Sequence, residues 1–430
     1  MILNRFLNCF LVLVFLILIS YIYNIYVVKE YDYWFYSNIP IVNLYIYYFV
    51  IAIIAFFIPK YQSKPSDFLA WIFFFLVSLP TVALSPYIAD SFYTGSITCL
   101  ILLISNSLIF CVSSINEYKL IPRFKGFSLT DLKYLIIFAS LFLIILVYLN
   151  FGFHIRKLLD LSIFTDTYEI RADFRDVKSG IGALSSYSIY WLAKFFLPFF
   201  ICYGLAFKNK KYIYIGVLLQ LVIFTVSAHK SFVFSALLVF IVYFLLMKKY
   251  SFTQWLATAN LFLLFSVIFY NFLGIDLLIN MFVRRAFIMP GVLSNWWVSY
   301  FSVNDFSYFQ GSLLGDFFND NNNNQLRAPF LIGLNYFGND WTSANANFIV
   351  DAYGNAGIKG VIFTVLIVLF ILLILNRPSI LSEEFKIFTT LLSIPIFWSF
   401  VETSFFIIFV THGLLILILF MLFLRPFRSS

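Results

Sequence analysis

Arg171-Ala-Asp-Phe-Arg175, Arg284-Arg285 and Arg327 fall in the polar stretches of a chain that is otherwise almost wholly apolar. A guanidinium stays charged and presents a rigid fork of donors, so it suits a phosphate or pyrophosphate better than the point charge of a lysine does. Arg171 is followed after ten residues by Gly182, and Arg327 after ten by Gly338. Taken singly, each arginine could equally pair with a nearby carboxylate such as Asp173, Asp176, Asp316 or Asp320. Taken together, they could hold one anionic head group between them.

Further candidates lie closer to the apolar runs. Lys194 sits inside Trp191-Leu-Ala-Lys194-Phe-Phe-Leu-Pro198, where an ammonium either snorkels to the surface or needs a partner. Lys230 follows His229 at the tip of a tight hairpin and either anchors the interface or adds a cation to the same site. Three residues could accept a proton from a hydroxyl: His412 and Glu402 in the last hairpin, and Asp351 in Asn345-Ala-Asn347-Phe-Ile-Val-Asp351. The choice among them stays open. Asn345 and Asn347 stand near Trp296, Trp297, Tyr300, Tyr336, Phe337 and Trp341. Flat aromatic faces stack on sugar rings and carboxamides bind hydroxyls, which suits a carbohydrate groove; an interfacial aromatic belt is the plainer reading.

These residues must be positioned by membrane helices. Of 430 residues 62% are hydrophobic and 11% charged, and mean hydropathy is +0.95, which excludes an ordinary soluble protein. Apolar runs bounded by charge, Pro or Asn recur at 6–28, 41–58, 68–85, 96–113, 134–150, 186–207, 212–227, 232–247, 254–272, 358–376, 387–401 and 405–424. Backbone polar groups in lipid must be paired internally, so such runs can only be helices. The expected fold is all-α: one polytopic bundle over 1–430 with about twelve transmembrane helices and two large loops on one side, 151–185 and 273–357. The first run, although near the start, lacks a small-residue cleavage site and reads as a span rather than a signal peptide.

An even number of spans puts both termini on one side. Segments on that side carry many cations, among them Lys60, Lys64, Lys210, Lys248, Lys249 and Lys386, whereas short loops opposite carry only Lys29 and Lys230. The positive-inside rule then makes both termini cytoplasmic, and long loops are exempt from it, so the loop arginines need another explanation. The net charge of +8 is spread in short clusters between apolar runs and gives no sign of a nucleic-acid partner. Cys9, Cys99, Cys111 and Cys202 lie within the runs without metal-ligand spacing, so no metal site is expected. There is no glycine loop for nucleotides, no His-Glu-x-x-His and no nucleophile elbow. Any chemistry would use a substrate already activated on lipid, with no cofactor.

In this order and loop placement, Arg171-Ala-Asp-Phe-Arg175, Trp191-Leu-Ala-Lys194, His229-Lys230-Ser, Arg284-Arg285-Ala-Phe-Ile-Met-Pro290, the 344–360 stretch and Thr411-His412-Gly413 resemble the Wzy family of oligosaccharide repeat-unit polymerases. The resemblance covers the whole topology and includes an Arg-x10-Gly pattern in each large loop. It implies a glycosyltransferase of the bacterial inner membrane that joins undecaprenyl-pyrophosphate-linked units at the periplasmic face, for O-antigen of lipopolysaccharide, capsule or exopolysaccharide. It further implies Arg171, Arg175, Arg284, Arg285 and Arg327 at the pyrophosphate, supported by Lys194 and Lys230, with a flippase and a chain-length regulator as partners. An O-antigen ligase shares the same plan. A metal-dependent transferase of polyprenyl-phosphate sugar, in which Glu30-Tyr-Asp32 would bind a divalent ion, competes with it, as does a twelve-span flippase or transporter.

Overall fold

The computed structural model describes residues 2–31, 35, 37–115, 126–159, 181–309, 326–380 and 382–425. Among them the chain is helical, with isolated bridges Tyr61 to Ser251 and Phe127 to Leu424 in place of strands. Nine helices among the described residues are long and apolar enough to cross a membrane, from Leu3–Glu30 to Phe348–Asn376, and Val42–Phe57, Ala328–Phe337 and Leu414–Phe423 are shorter apolar helices. The chain is thus a multi-pass membrane protein. Every apolar run of the sequence falls on helix.

Helix starts are written locally. Ser91, Ser128 and Ser251 each accept from the backbone N–H three residues on, and Thr94, Asp131 and Gln254 reciprocate. Each such cap is worth about 1 kcal/mol.

Proline placement explains the irregular turns. Phe74–Ser78, Leu192–Phe196 and Ile279–Ile288 are π-helical, and each is followed by a residue and then a proline: Pro80, Pro198 and Pro290. A proline inside a helix has no N–H to donate and its ring collides with the carbonyl four residues back, here that of Leu76, Lys194 or Ala286. Widening the preceding turn relieves the collision. The residue before each proline accordingly bonds five residues back, Leu79 to Phe74, Leu197 to Leu192 and Met289 to Arg284. A fourth π segment, Tyr23–Val27, has no proline after it.

Burial separates axis from rim. In Pro65–Ile88, 94% of the apolar window is buried, against 22% in Phe252–Leu273, so the first is central and the second faces outward. Part of the 273–357 stretch also enters the core, contrary to its reading as a loop over the top. Helix Met289–Val303 packs on Leu79–Ile88, on Phe92–Ser114 and on the start of Phe348–Asn376. Its polar residues are what hid it. Asn295 accepts from Ser85 at 2.9 Å and donates to the Gly291 carbonyl at 2.9 Å, while Ser294 donates to the Pro290 carbonyl, so they pair internally and cost little when buried.

Two of these helices are broken. Phe348–Asn376 is interrupted at Ala356 and Gly357, where Gly357 takes a φ of 60°. The last apolar run is split into Phe405–Val410 and Leu414–Phe423, and Gly413 between them has a φ of 84°. Glycine has no Cβ to oppose that backbone.

Candidate functional site

Lys194 stands in the middle of the π segment Leu192–Phe196, which Pro198 imposes. Its side chain is 2% exposed, and Nζ has no hydrogen-bond partner among the described residues. Glu402 and His412 lie within electrostatic reach of it. Glu402 is carried by the turn after Glu383–Ser399, where its N–H and that of Thr403 both bond the Ser399 carbonyl. His412 is carried by the break before Gly413, and its Nδ1 has no hydrogen-bond partner among the described residues. Glu402 is exposed and His412 partly exposed, whereas Lys194 Nζ and His412 Nδ1 are themselves buried.

Two residues that sequence reasoning did not assign complete the cluster. The Tyr190 ring meets His412 edge-on at 5.2 Å and His229 edge-on at 5.8 Å. His229 Nδ1 lies 2.9 Å from the Ser227 carbonyl and its Nε2 lies 3.4 Å from the Tyr190 hydroxyl. A carbonyl only accepts, so in the neutral ring Nδ1 carries the proton and Nε2 is left to accept from Tyr190. Tyr190 precedes Lys194 by four residues, and that helical spacing was its signal in the sequence. Trp191 Nε1 donates to the Val410 carbonyl at 2.8 Å, satisfying one of the groups freed by the break. At Gly413 a Cβ would lie 3.2 Å from that of Phe195, so the break and the π segment pack closely.

Asp351 has its own set of partners. It occupies the first turn of Phe348–Asn376, 9% exposed, and its carboxylate accepts from Asn355 at 3.2 Å. The Asn355 carbonyl oxygen accepts from Ser307 at 2.7 Å and from the Phe309 N–H at 2.8 Å. Asn347 does not fit a sugar-binding role. It is 1% exposed, its oxygen caps the helix by accepting from Ile349 and Val350, and its amide donates to Ser294 at 2.9 Å. Asn345 is exposed and accepts from Ser343.

Nor do the described arginines converge on Lys194. Arg284 donates twice to Asn280, at 3.0 and 2.8 Å, and its guanidinium carbon lies 4.5 Å from the Tyr31 ring centre. Its π segment packs on Ile2–Ile22, Leu79–Ile88 and Phe252–Leu273, whereas that of Lys194 packs on Leu129–Phe151, Lys210–Ser227, Lys230–Met247 and Glu383–Ser399. Arg285, Arg327 and Lys230 are exposed. Arg327 is the N-cap of the ten-residue helix Ala328–Phe337 and Gly338 its left-handed C-cap, so that Arg-x10-Gly spacing measures one helix. Gly182 instead lies in the first turn of Ile181–Trp191. Arg171 and Arg175 lie outside the described residues, as do Asp32 and the asparagine run 319–324.

The aromatic groove is also redrawn. Trp296 and Trp297 are 1% and 0% exposed, Trp296 stacks on Tyr336 at 4.6 Å, and Trp297 donates to the Ala344 carbonyl. Trp341 alone of these tryptophans is freely exposed. Among the described residues no group of His, Cys, Asp and Glu has the makings of a metal site.

The Lys194 cluster has three chemical capacities. An ammonium with unused donors in a low-dielectric setting is a strong site for an anionic oxygen. Glu402 offsets part of its charge and is reachable from solvent. The imidazole of His412 faces the same space with a free nitrogen and can take or give a proton. No protein-family model, curated protein or solved structure matches the chain.

Proposed function

We propose that the protein is a glycosyltransferase that polymerises undecaprenyl-pyrophosphate-linked oligosaccharide repeat units at the periplasmic face of the bacterial cytoplasmic membrane. In this reading all twelve apolar runs cross the membrane, both termini are cytoplasmic, and 151–185 and 273–357 face the periplasm. The observation that carries it is Lys194, a buried cation without a hydrogen-bond partner among the described residues, close to Glu402 and His412 where a helix breaks. A departing pyrophosphate supplies the anion that Lys194 lacks, and an attacking sugar hydroxyl supplies the proton for His412 or Glu402.

The step balances simply. The bond between the anomeric carbon of the growing chain and its pyrophosphate oxygen breaks. The acceptor hydroxyl oxygen of a fresh lipid-linked unit bonds to that carbon, its proton passes to the base, and undecaprenyl pyrophosphate leaves. Charge grows on the leaving oxygen in the transition state, where a fixed cation acts most strongly. Arg171, Arg175, Arg285 and Arg327 would steer the pyrophosphate toward Lys194.

The test is the glycan banding of a strain lacking the protein, complemented with wild type or Lys194→Ala. A single repeat on intact core, not restored by Lys194→Ala, supports polymerisation. A second reading is favoured by one feature: buried Lys194 and His412 next to broken helices also suit a flippase or transporter. Loss of all exported lipid-linked units would select it. Repeat units that polymerise normally but never reach the lipid core would select a ligase.

A further inference from the structure

A separate cavity lies at the far end of helix Glu383–Ser399 from Glu402, roughly 25 Å away along that helix. It encloses about 420 Å³ between segment 61–63, the end of Lys230–Met247, Trp255 and the start of Glu383–Ser399. This size suits a head group or a small ligand. Gln62 and Thr390 are among its lining residues, although Gln62 Nε2 and Thr390 Oγ1 are themselves buried, out of contact with the accessible space. The lining is mixed in polarity.

The charges say which kind of guest it suits. Lys249 and Lys386 line the cavity, and Lys64 lies within electrostatic reach of Lys386. Glu383 is the one acidic lining residue, and it bonds Lys386 at 3.2 Å while remaining largely exposed. Lys249 has a φ of 50°, a conformation that costs a side chain about 1 kcal/mol and usually goes to glycine. The rest of the lining joins apolar Leu245, Leu246, Met247, Trp255 and Ile387 to Tyr61, Ser63 and Tyr250. A guest must carry negative charge at one end and apolar chain at the other.

We propose that this cavity binds the phosphate of an anionic phospholipid, with Lys249 and Lys386 on its oxygens. The site is independent of the glycosyl-transfer reading. The full chain, purified in non-ionic detergent and stripped of lipid, is offered phosphatidylglycerol, phosphatidylcholine or inorganic phosphate, and the retained molecules are counted by native mass spectrometry. Retention of phosphatidylglycerol about tenfold above phosphatidylcholine is expected. The preference disappears in the Lys249→Gln, Lys386→Gln double variant and grows in Glu383→Gln, which frees Lys386. If inorganic phosphate is held as well as the lipid, the anion site stands but its source is the aqueous phase. Equal retention of the two lipids without phosphate binding, or a preference that survives the double lysine variant in folded protein, overturns the proposal.

Discussion

Two π-helical segments, each just ahead of a proline, carry cations to different fates. In 279–288 the guanidinium of Arg284 donates twice to the Asn280 oxygen and lies against the Tyr31 ring. In 192–196 the ammonium of Lys194 is buried and has no hydrogen-bond partner among the described residues. The same backbone device therefore serves two ends. Arg284 is placed against the Tyr31 ring of another element, whereas Lys194 is placed to wait for a ligand, because a buried ammonium seldom keeps its donors unused without a function.

The sharpest way to break this contrast is a pair of substitutions. Lys194→Met should lower polymerisation by more than about a hundredfold, the scale of removing one transition-state donor, with a smaller change in thermal stability, because no hydrogen bond is lost although Glu402 loses its nearby cation. Arg284→Ala should do the opposite. It should lower stability by about 1–3 kcal/mol through lost hydrogen bonds and the ring contact, with a much smaller loss of activity. Thermal unfolding in detergent together with glycan ladders checks both, and equal behaviour of the two variants would erase the distinction.

Next in size is the base. His412→Ala and Glu402→Gln, scored separately by product formation from lipid-linked units, should differ by tenfold or more, on the order of a general base's contribution. Matching losses would leave the proton without an assigned acceptor. Gly413→Ala should destabilise by about 1–2 kcal/mol because of its backbone angle, and should also weaken activity by displacing His412. The smallest effect belongs to Arg327→Ala. An exposed helix cap away from Lys194 should change ladder length or substrate affinity rather than abolish product; complete loss would restore the arginines to the centre of the site.

Much of the framework was legible in the sequence because lipid leaves a backbone few options. Apolar runs gave helices, Ser-x-x-Thr, Ser-x-x-Asp and Ser-x-x-Gln gave their starts, and Pro80, Pro198 and Pro290 mark where turns widen. Helix Met289–Val303 was not legible, since Ser294, Asn295 and Ser299 lower its hydropathy and only the partners of Ser294 and Asn295 on other helices make burial of those two tolerable. Lys194, Glu402 and His412 each stood out as polar groups in apolar surroundings, but nothing local says that residues more than 200 positions apart lie close together. Asn347 misled because a carboxamide that caps a helix and one that holds a sugar look alike in sequence.

A widened turn has a geometric cost for everything beyond it. One extra residue in the ladder at 192–196 rotates the remainder of that helix by about 100° relative to an unbroken one. Tyr190 can therefore address His229 and His412 while Phe199, past the bulge, addresses Phe388 and Phe420. Deleting a single residue there would leave the composition nearly untouched yet turn one half of the helix away from its neighbours. Length, not chemistry, is the constraint at that spot.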